Sequence, residues 1–343
     1  MLKEKIQKLY IKYERYVSPI AFFSGFVWDS LTLKRIDLLY ENIVFFVYLS
    51  VAATSIVLIS TTQKYARVMP LVLQFTFGGL FSAFFIFYSR SGSIMTSWFF
   101  LLALAILLIG NERFRKRYAR LVFQLNIFFI ALFSYSIFAV PVFIGKMGAW
   151  TFLISGLVSL ILVGFFMRLL KQFKRPLIFS ILGIYLIFNL LYFTNIIPPI
   201  PLSLKEIGIY HFVERNNGQY SVQFEPAPWY LFFKDFNSDF HWVKNTPVYA
   251  YSAVFAPTKL NTTIFHRWSY FDEEKDDWVK KSQLGFSISG GRDGGYRGYT
   301  MKTSMESGKW RVDVITSRGQ VLGRTKFEIV EVGSLPKLES MIY

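Results

Sequence analysis

The sequence predicts two unlike halves: an α-helical membrane bundle of about seven transmembrane helices, then an all-β sandwich domain of immunoglobulin type. Three observations predict this. Apolar runs long enough for a helix of about 20 residues to cross hydrocarbon fill the chain up to residue 197. The segment Pro198-Pro199-Ile200-Pro201 then interrupts them. Beyond it, apolar residues recur at every second position, the period of strands and not of helices. The expected division is 1–197 for the polytopic membrane region, 198–202 for a Pro-rich linker and 203–343 for an extracytoplasmic β-sandwich.

Charge divides at the same place. Residues 1–202 hold 20 of the 38 Lys and Arg but only six acids, so they carry +14 of the formal +16. These bases stand in short clusters between apolar runs, the pattern of topogenic charge. Nucleic-acid binding needs a basic face on a folded surface, so the expected partner is the lipid bilayer and no nucleic acid.

Six strong spans follow in order: Tyr40–Ser60, Met69–Tyr88, Ile94–Gly110, Leu121–Ile144, Met147–Leu169 and Pro176–Ile197. Val17–Leu33 is a shorter seventh candidate that carries Asp29. With seven crossings, 16 bases fall on the side of the N-terminus and four on the side of the C-terminal domain; without Val17–Leu33 the split is 11 to 9. The positive-inside bias favours seven, placing the N-terminus in the cytoplasm and the C-terminal domain outside. Bulky Phe26-Val27-Trp28-Asp29 offers no small-residue cleavage signature, so the segment reads as an uncleaved first helix, with a half-inserted hairpin as the alternative.

Helix centres are nearly free of charge, which disfavours ion or proton pathways. Gln74, Gln124, Asn126 and Asn189 are expected to make interhelical hydrogen bonds, and Gly79/Ala83 and Ser155/Ser159 to allow close packing. One ionic cluster stands apart: Asp29, Lys34, Arg35, Asp37 and Glu41, around the turn between the first two helices. It reads either as a salt-bridged turn or as an outer polar site, for a lipid head group or for the C-terminal domain.

In the second half, Ile207–Glu214 and Gln219–Phe224 flank Asn216-Asn217-Gly218, a hairpin signal. Pro247–Ala256, Thr262–Phe271, Lys309–Thr316 and Val321–Val330 alternate as strands. Six to eight short strands over 141 residues predict the sandwich. Residues 226–243 hold seven aromatic residues and read equally as a helix lying on the membrane or as sandwich core.

The run Gly25-Phe26-Val27-Trp28-Asp29-Ser30-Leu31-Thr32-Leu33-Lys34-Arg35-Ile36-Asp37 resembles the start of a bacterial family of polytopic membrane proteins. Their C-terminal module is domain of unknown function 2914. The similarity continues through Leu202–Gly208, Val254–Thr258, His266-Arg267-Trp268, Gly295–Tyr299, Gly308–Val312 and Gly319–Gly323. The resemblance implies a bacterial integral membrane protein and supplies no catalytic residues.

The chain has no cysteine, which excludes thiol catalysis and thiolate metal sites and suits a bacterial envelope. His211, His241 and His266 lack close metal-ligand spacing; His266, on a strand face beside Trp268, reads as a buried hydrogen-bonded residue. Gly290–Gly295 lacks the strand-to-helix setting of a phosphate loop and reads as a turn. No catalytic residue, metal or cofactor is therefore expected. Arg292, Tyr296, Arg297, Tyr299 and Lys302 interleave bases with aromatics and suit an anionic or carboxylate ligand, or form a plain edge strand.

The expected function is that of a non-enzymatic protein of the bacterial inner membrane. Its periplasmic sandwich would bind an envelope glycan, a peptide or a membrane or periplasmic protein. The alternative is a membrane-embedded transferase or carrier acting on a lipid-linked substrate.

Overall fold

The computed structural model describes residues 24–33, 35, 37–62, 65, 68–111, 113, 114, 117–227, 237 and 239–343. The expectations for residues 17–23, for Lys34 and for Trp229, Tyr230, Phe232, Phe233 and Phe236 lie outside these.

Among the described residues the first half forms seven helices: α1 (24–32), α2 (Leu39–Thr61), α3 (Met69–Arg90), α4 (Ile94–Gly110), α5 (Leu121–Ile144), α6 (Ala149–Leu169) and α7 (Arg175–Phe193). Five of them, α2, α3, α5, α6 and α7, are long and apolar enough to cross a membrane. The fourth helix has 17 residues and at 1.5 Å per residue reaches about 25 Å, so it is shorter than the other strong spans. Pro70 and Pro176 occupy the first turns of α3 and α7, where a missing N–H costs nothing. Gly145, at φ 73°, closes α5 by donating its N–H to the Pro141 carbonyl, a left-handed end that favours glycine.

The most buried helix is α5, and phenylalanine fills the space around it. Phe133 stacks on Phe188 at 4.7 Å, and Phe152 lies flat on Tyr192 at 3.7 Å. Gly156 of α6 faces this cluster; a Cβ there would meet the Tyr185 ring at 2.6 Å. The polar residues of the spans divide in their use. Ser180 donates to Asn126 across α7 and α5 at 2.9 Å, as expected, whereas Asn189 turns back on its own helix to the Tyr185 carbonyl. Gln124 ties down the turn before α5 through the Tyr118 carbonyl.

The second half is β-rich: β1 (Ser203–Tyr210), β2 (Phe212–Asn216), β3 (Gln219–Phe224), β4 (Asp239–Trp242), β5 (Val248–Phe255), β6 (Asn261–Asp272), β7 (Asp277–Ser289), β8 (Tyr296–Lys302), β9 (Gly308–Thr316), β10 (Val321–Glu331) and β11 (Glu339–Ile342). They build three sheets, ordered β1-β5-β8, β4-β10-β9-β6-β7 and β11-β3-β2. The first two face each other over Val248, Ala250, Val254, Ile264, Trp268, Trp310, Val312 and Val314. Such face-to-face packing buries the apolar set of each alternating strand. The third sheet covers the outer side of β5 through Tyr210, Tyr220, Val222, Tyr249 and Tyr251, which is why β5 is buried on both faces. Phe240 and Trp242, the described aromatic residues at the end of 226–243, lie in the core between the first two sheets. Their strand, β4, runs parallel to β10, and every other pairing is antiparallel.

The halves meet at one end of the bundle. Ser93, ahead of α4, donates its N–H to the Val321 carbonyl at 3.1 Å. Ser203 Oγ donates to the Arg90 carbonyl at 2.8 Å, and Gln320 Nε2 to the Ile197 carbonyl at 3.1 Å. The Arg318 guanidinium lies 4.0 Å from the ring centre of Tyr192, a close cation–π contact. Lys259 sits against Gly145, between α5 and α6. The α1–α2, α3–α4 and α5–α6 connections and the end of α7 therefore share one end of the bundle.

Candidate functional site

The five-residue cluster around the first turn does not stay together. Arg35 donates from Nε to Asp37 Oδ1 at 3.0 Å and from Nη2 to Oδ2 at 2.7 Å, the two-pronged geometry that planar guanidinium suits. Its remaining nitrogen, Nη1, donates to Asp293 in the β7–β8 loop. Asp37 Oδ2 also accepts from Thr258, from N at 3.2 Å and Oγ1 at 3.3 Å. The Arg35 plane rests 5.0 Å from the centre of the Phe255 ring. Burial pushes the Asp37 carboxyl up, but the bonds from Arg35 and Thr258 outweigh it and hold the group below the usual carboxylate range. This pair is a clamp between the bundle and the β domain.

Asp29 and Glu41 lie elsewhere. Glu41 is buried in the first turn of α2, where negative charge suits the helix N-terminus. Asp29 projects from α1 toward α3 and accepts a hydrogen bond from Ser82 Oγ at 2.6 Å. It lines a cavity of about 770 Å³ between α1, α2, α3 and α4, with Tyr48, Gln74, Ser82 and Asn111 among its polar walls. Arg90 closes the end of α1 by donating to the Ser30 and Leu33 carbonyls at 2.9 and 2.8 Å. Glycine shapes the cavity wall: a Cβ on Gly79 would press on the Tyr48 ring at 3.2 Å. Acids at membrane depth are costly and mark sites.

The β8 residues also separate. Tyr296 packs toward the facing sheet, under the Arg292 guanidinium at 5.6 Å, and Lys302 covers Trp310 at 5.9 Å. Tyr299 points the opposite way, edge-on to Tyr220 and tilted against Tyr249. Arg297 takes the Tyr220 hydroxyl on its carbonyl at 2.9 Å. Alternation along a strand sends neighbours to opposite faces, so the five do not form one surface.

All three histidines are engaged. His266 is buried between Ser252 Oγ at 2.8 Å and Thr300 Oγ1 at 2.9 Å, and burial pushes its pKa down to about 3. His211 and His241 share Glu225, at 2.9 Å to Oε1 and 2.5 Å to Oε2. Among the described residues no group of three or more His, Cys, Asp or Glu could hold a metal.

A site absent from the sequence reading lies on the outward face of the five-stranded sheet. Asp313 of β9 is fully buried and receives Arg267 Nη2 of β6 at 2.7 Å and Arg324 Nε of β10 at 2.5 Å. Arg311 lies 3.5 Å from the same carboxylate and 4.7 Å from the Trp278 ring centre. Three guanidiniums thus meet one carboxylate. Burial, with repulsion from Arg324 and Arg267, outweighs the attraction of Asp313 and holds the Arg311 pKa below its ordinary value.

No curated protein matches this chain. One solved structure, Pseudomonas fluorescens alkylpurine DNA glycosylase AlkC bound to DNA containing an abasic site analog, is similar over 87% of this chain and 99% of that one, at 9% identity. The TM-score of 0.20 carries no likeness of fold. The family described as protein of unknown function (DUF2914) matches residues 261–329, the stretch from the start of β6 into β10. The C-terminal region of this chain thus carries a DUF2914 domain.

Proposed function

We propose that the chain is a non-enzymatic protein of the bacterial inner membrane that crosses seven times and holds its β domain on the periplasmic side as a fixed ligand-binding platform. The observation that supports this reading most is the docking itself. Connections α1–α2, α3–α4, α5–α6 and the end of α7 touch the β domain, so successive helices alternate in direction. The four bases Lys34, Arg35, Arg90 and Lys146 then fall on the side of the domain, and the three connections at the other end hold 11, the bias expected of a cytoplasmic face. The two facing sheets, antiparallel apart from the β4–β10 pair, agree with an immunoglobulin-type sandwich extended by a third sheet. The division into residues 1–197, 198–202 and 203–343 belongs to the same reading. Glycans, peptides and envelope proteins are the ligand classes such a platform would meet.

The absence of cysteine makes the topology directly testable. In spheroplasts, Lys275→Cys is expected to react with a membrane-impermeant maleimide, since the Lys275 side chain is 70% exposed at the β6–β7 turn. Lys174→Cys, between α6 and α7, is expected to react only after permeabilisation. The reverse pattern overturns the reading.

The cavity at Asp29 favours a second reading, a membrane-embedded transferase or carrier for a lipid substrate. Among the described lining residues Asp29 is the one charged group, and with hydroxyl and amide neighbours it suits the ammonium or hydroxyl of a head group. Phosphatidylethanolamine retained by the full chain in mild detergent, and lost in Asp29→Ala, is the expected result under this reading; equal retention by both proteins excludes it.

A further inference from the structure

We propose that the outward face of the five-stranded sheet binds an extended anionic glycan through Arg267, Arg311, Arg324, Lys326 and Lys280, beside Trp278. The inference rests on the binding reading above and names the ligand class and the surface.

Strand register places these residues in two neighbouring rows. Arg267, Asp313 and Arg324 lie opposite one another across β6, β9 and β10. In the next row Lys280, Ser269, Arg311 and Lys326 run across β7, β6, β9 and β10. Neighbouring strands are about 4.8 Å apart, so the second row spans about 14 Å. Five cations share these rows with one carboxylate, and that carboxylate is fully buried beneath the guanidiniums. Other acids near this face are Glu328, opposite Lys309 and Asp239 in the next row, and Asp277 in the β6–β7 hairpin, whose charge reaches Arg311.

The guanidiniums keep some exposed surface beyond Asp313: the Arg267, Arg324 and Arg311 side chains are 27, 19 and 14% exposed. Lys326 lies 5.6 Å from the Trp278 ring centre, with Arg311 on the same indole. Both cations lie over the indole, which holds a guanidinium and an ammonium together where the carboxylates of acidic sugars can meet them.

Strand β10 meets the bundle at Val321, whose carbonyl accepts from Ser93. At about 3.4 Å per residue, Arg324 lies about 10 Å along the strand from that contact and Lys326 about 17 Å. An extended chain of repeating acidic sugars can cross rows of cations so placed, and the vesicle control below separates it from a lipid head group.

The test uses the purified full chain in detergent, titrated with polygalacturonate, with neutral dextran and phosphatidylglycerol vesicles as controls. Polygalacturonate is expected to bind at low salt and to weaken steeply as salt rises. The double variant Lys280→Glu/Lys326→Glu changes only exposed side chains; it is expected to keep its melting temperature and lose about tenfold or more in affinity, roughly 1.4 kcal/mol. Absence of binding by the wild type, equal binding by the variant, or binding to the vesicles in preference to polygalacturonate each overturns the inference. Lys275→Cys labelling from the cytoplasmic side would instead overturn the platform reading, whatever the titration shows.

Discussion

Asp313→Ala is expected to destabilise the β domain by about 3–5 kcal/mol, the cost of removing one partner from a buried ionic cluster. Three guanidiniums, from Arg267, Arg311 and Arg324, would remain packed together around an empty position. Denaturant unfolding of the full chain, followed by tryptophan fluorescence, measures the loss directly. The same cluster sets a response to acid. Burial raises the Asp313 pKa, but the bonds from Arg324 and Arg267 outweigh it and hold the carboxyl below its ordinary value. A depressed folded-state pKa stabilises fully above the unfolded value, near 4, and that stabilisation fades as pH falls through the folded value. Wild-type protein should therefore lose this contribution in the acid range, and Asp313→Ala should lack that part of the pH dependence. A variant as stable as wild type at neutral pH would show that the carboxylate is dispensable.

Trp310→Ala is expected to cost a similar amount, about 3–5 kcal/mol, through lost burial and the cavity left behind. Its indole is 1% exposed, meets Tyr270 at 5.3 Å between ring centres and donates Nε1–H to the Glu306 carbonyl at 2.8 Å. Trp310→Phe keeps most of the apolar area and loses the hydrogen bond, so it should fall between wild type and alanine. If phenylalanine proved as damaging as alanine, the hydrogen bond and not the packing would dominate this position.

Elements whose pattern is carried by neighbouring residues were legible in the sequence. Asn217 and Gly218, at φ 49° and 85°, form the hairpin turn between β2 and β3, because both positions need the left-handed region that asparagine and glycine tolerate. Alternation in β9 separates Trp310, Val312 and Val314 from Arg311 and Asp313. Other strands carry no such pattern. All four residues of β11 are exposed, and the middle of β7, Lys280-Lys281-Ser282-Gln283, is polar on both faces, so neither is marked by hydrophobic period. Ile207–Glu214 reads as one strand, yet the chain breaks at His211 because β1 pairs with β5 and β2 pairs with β3.

The sites depended on distance in space. Arg35 and Asp37 were legible as a pair because they are two residues apart, but Asp293 is 258 residues from Arg35. Asp29 looked like a member of the same turn; helical rotation in α1 directs it to Ser82, 53 residues away. Asp313 draws two of its three partners from 46 residues before it and 11 after it. Arg311, two residues away, is the one local partner, and it does not by itself distinguish an acid that will be clamped and buried from one that will be solvated.

The docked β domain also bears on how the protein is made. The last carbonyls of a helix have no partner within it. The carbonyls of Arg90, at the end of α3, and of Ile197, just beyond α7, take hydrogen bonds from Ser203 and Gln320, and Arg318 adds one to the Tyr192 carbonyl, which also accepts from Asn195 N. Those donors are synthesised up to 126 residues after their acceptors. A newly made bundle therefore stands with its rim unfinished until β1 and the β9–β10 hairpin fold onto it. Contacts then close from the last-made strands back to the first-made helices, so a lesion that delays the β domain is felt in the helical bundle as well.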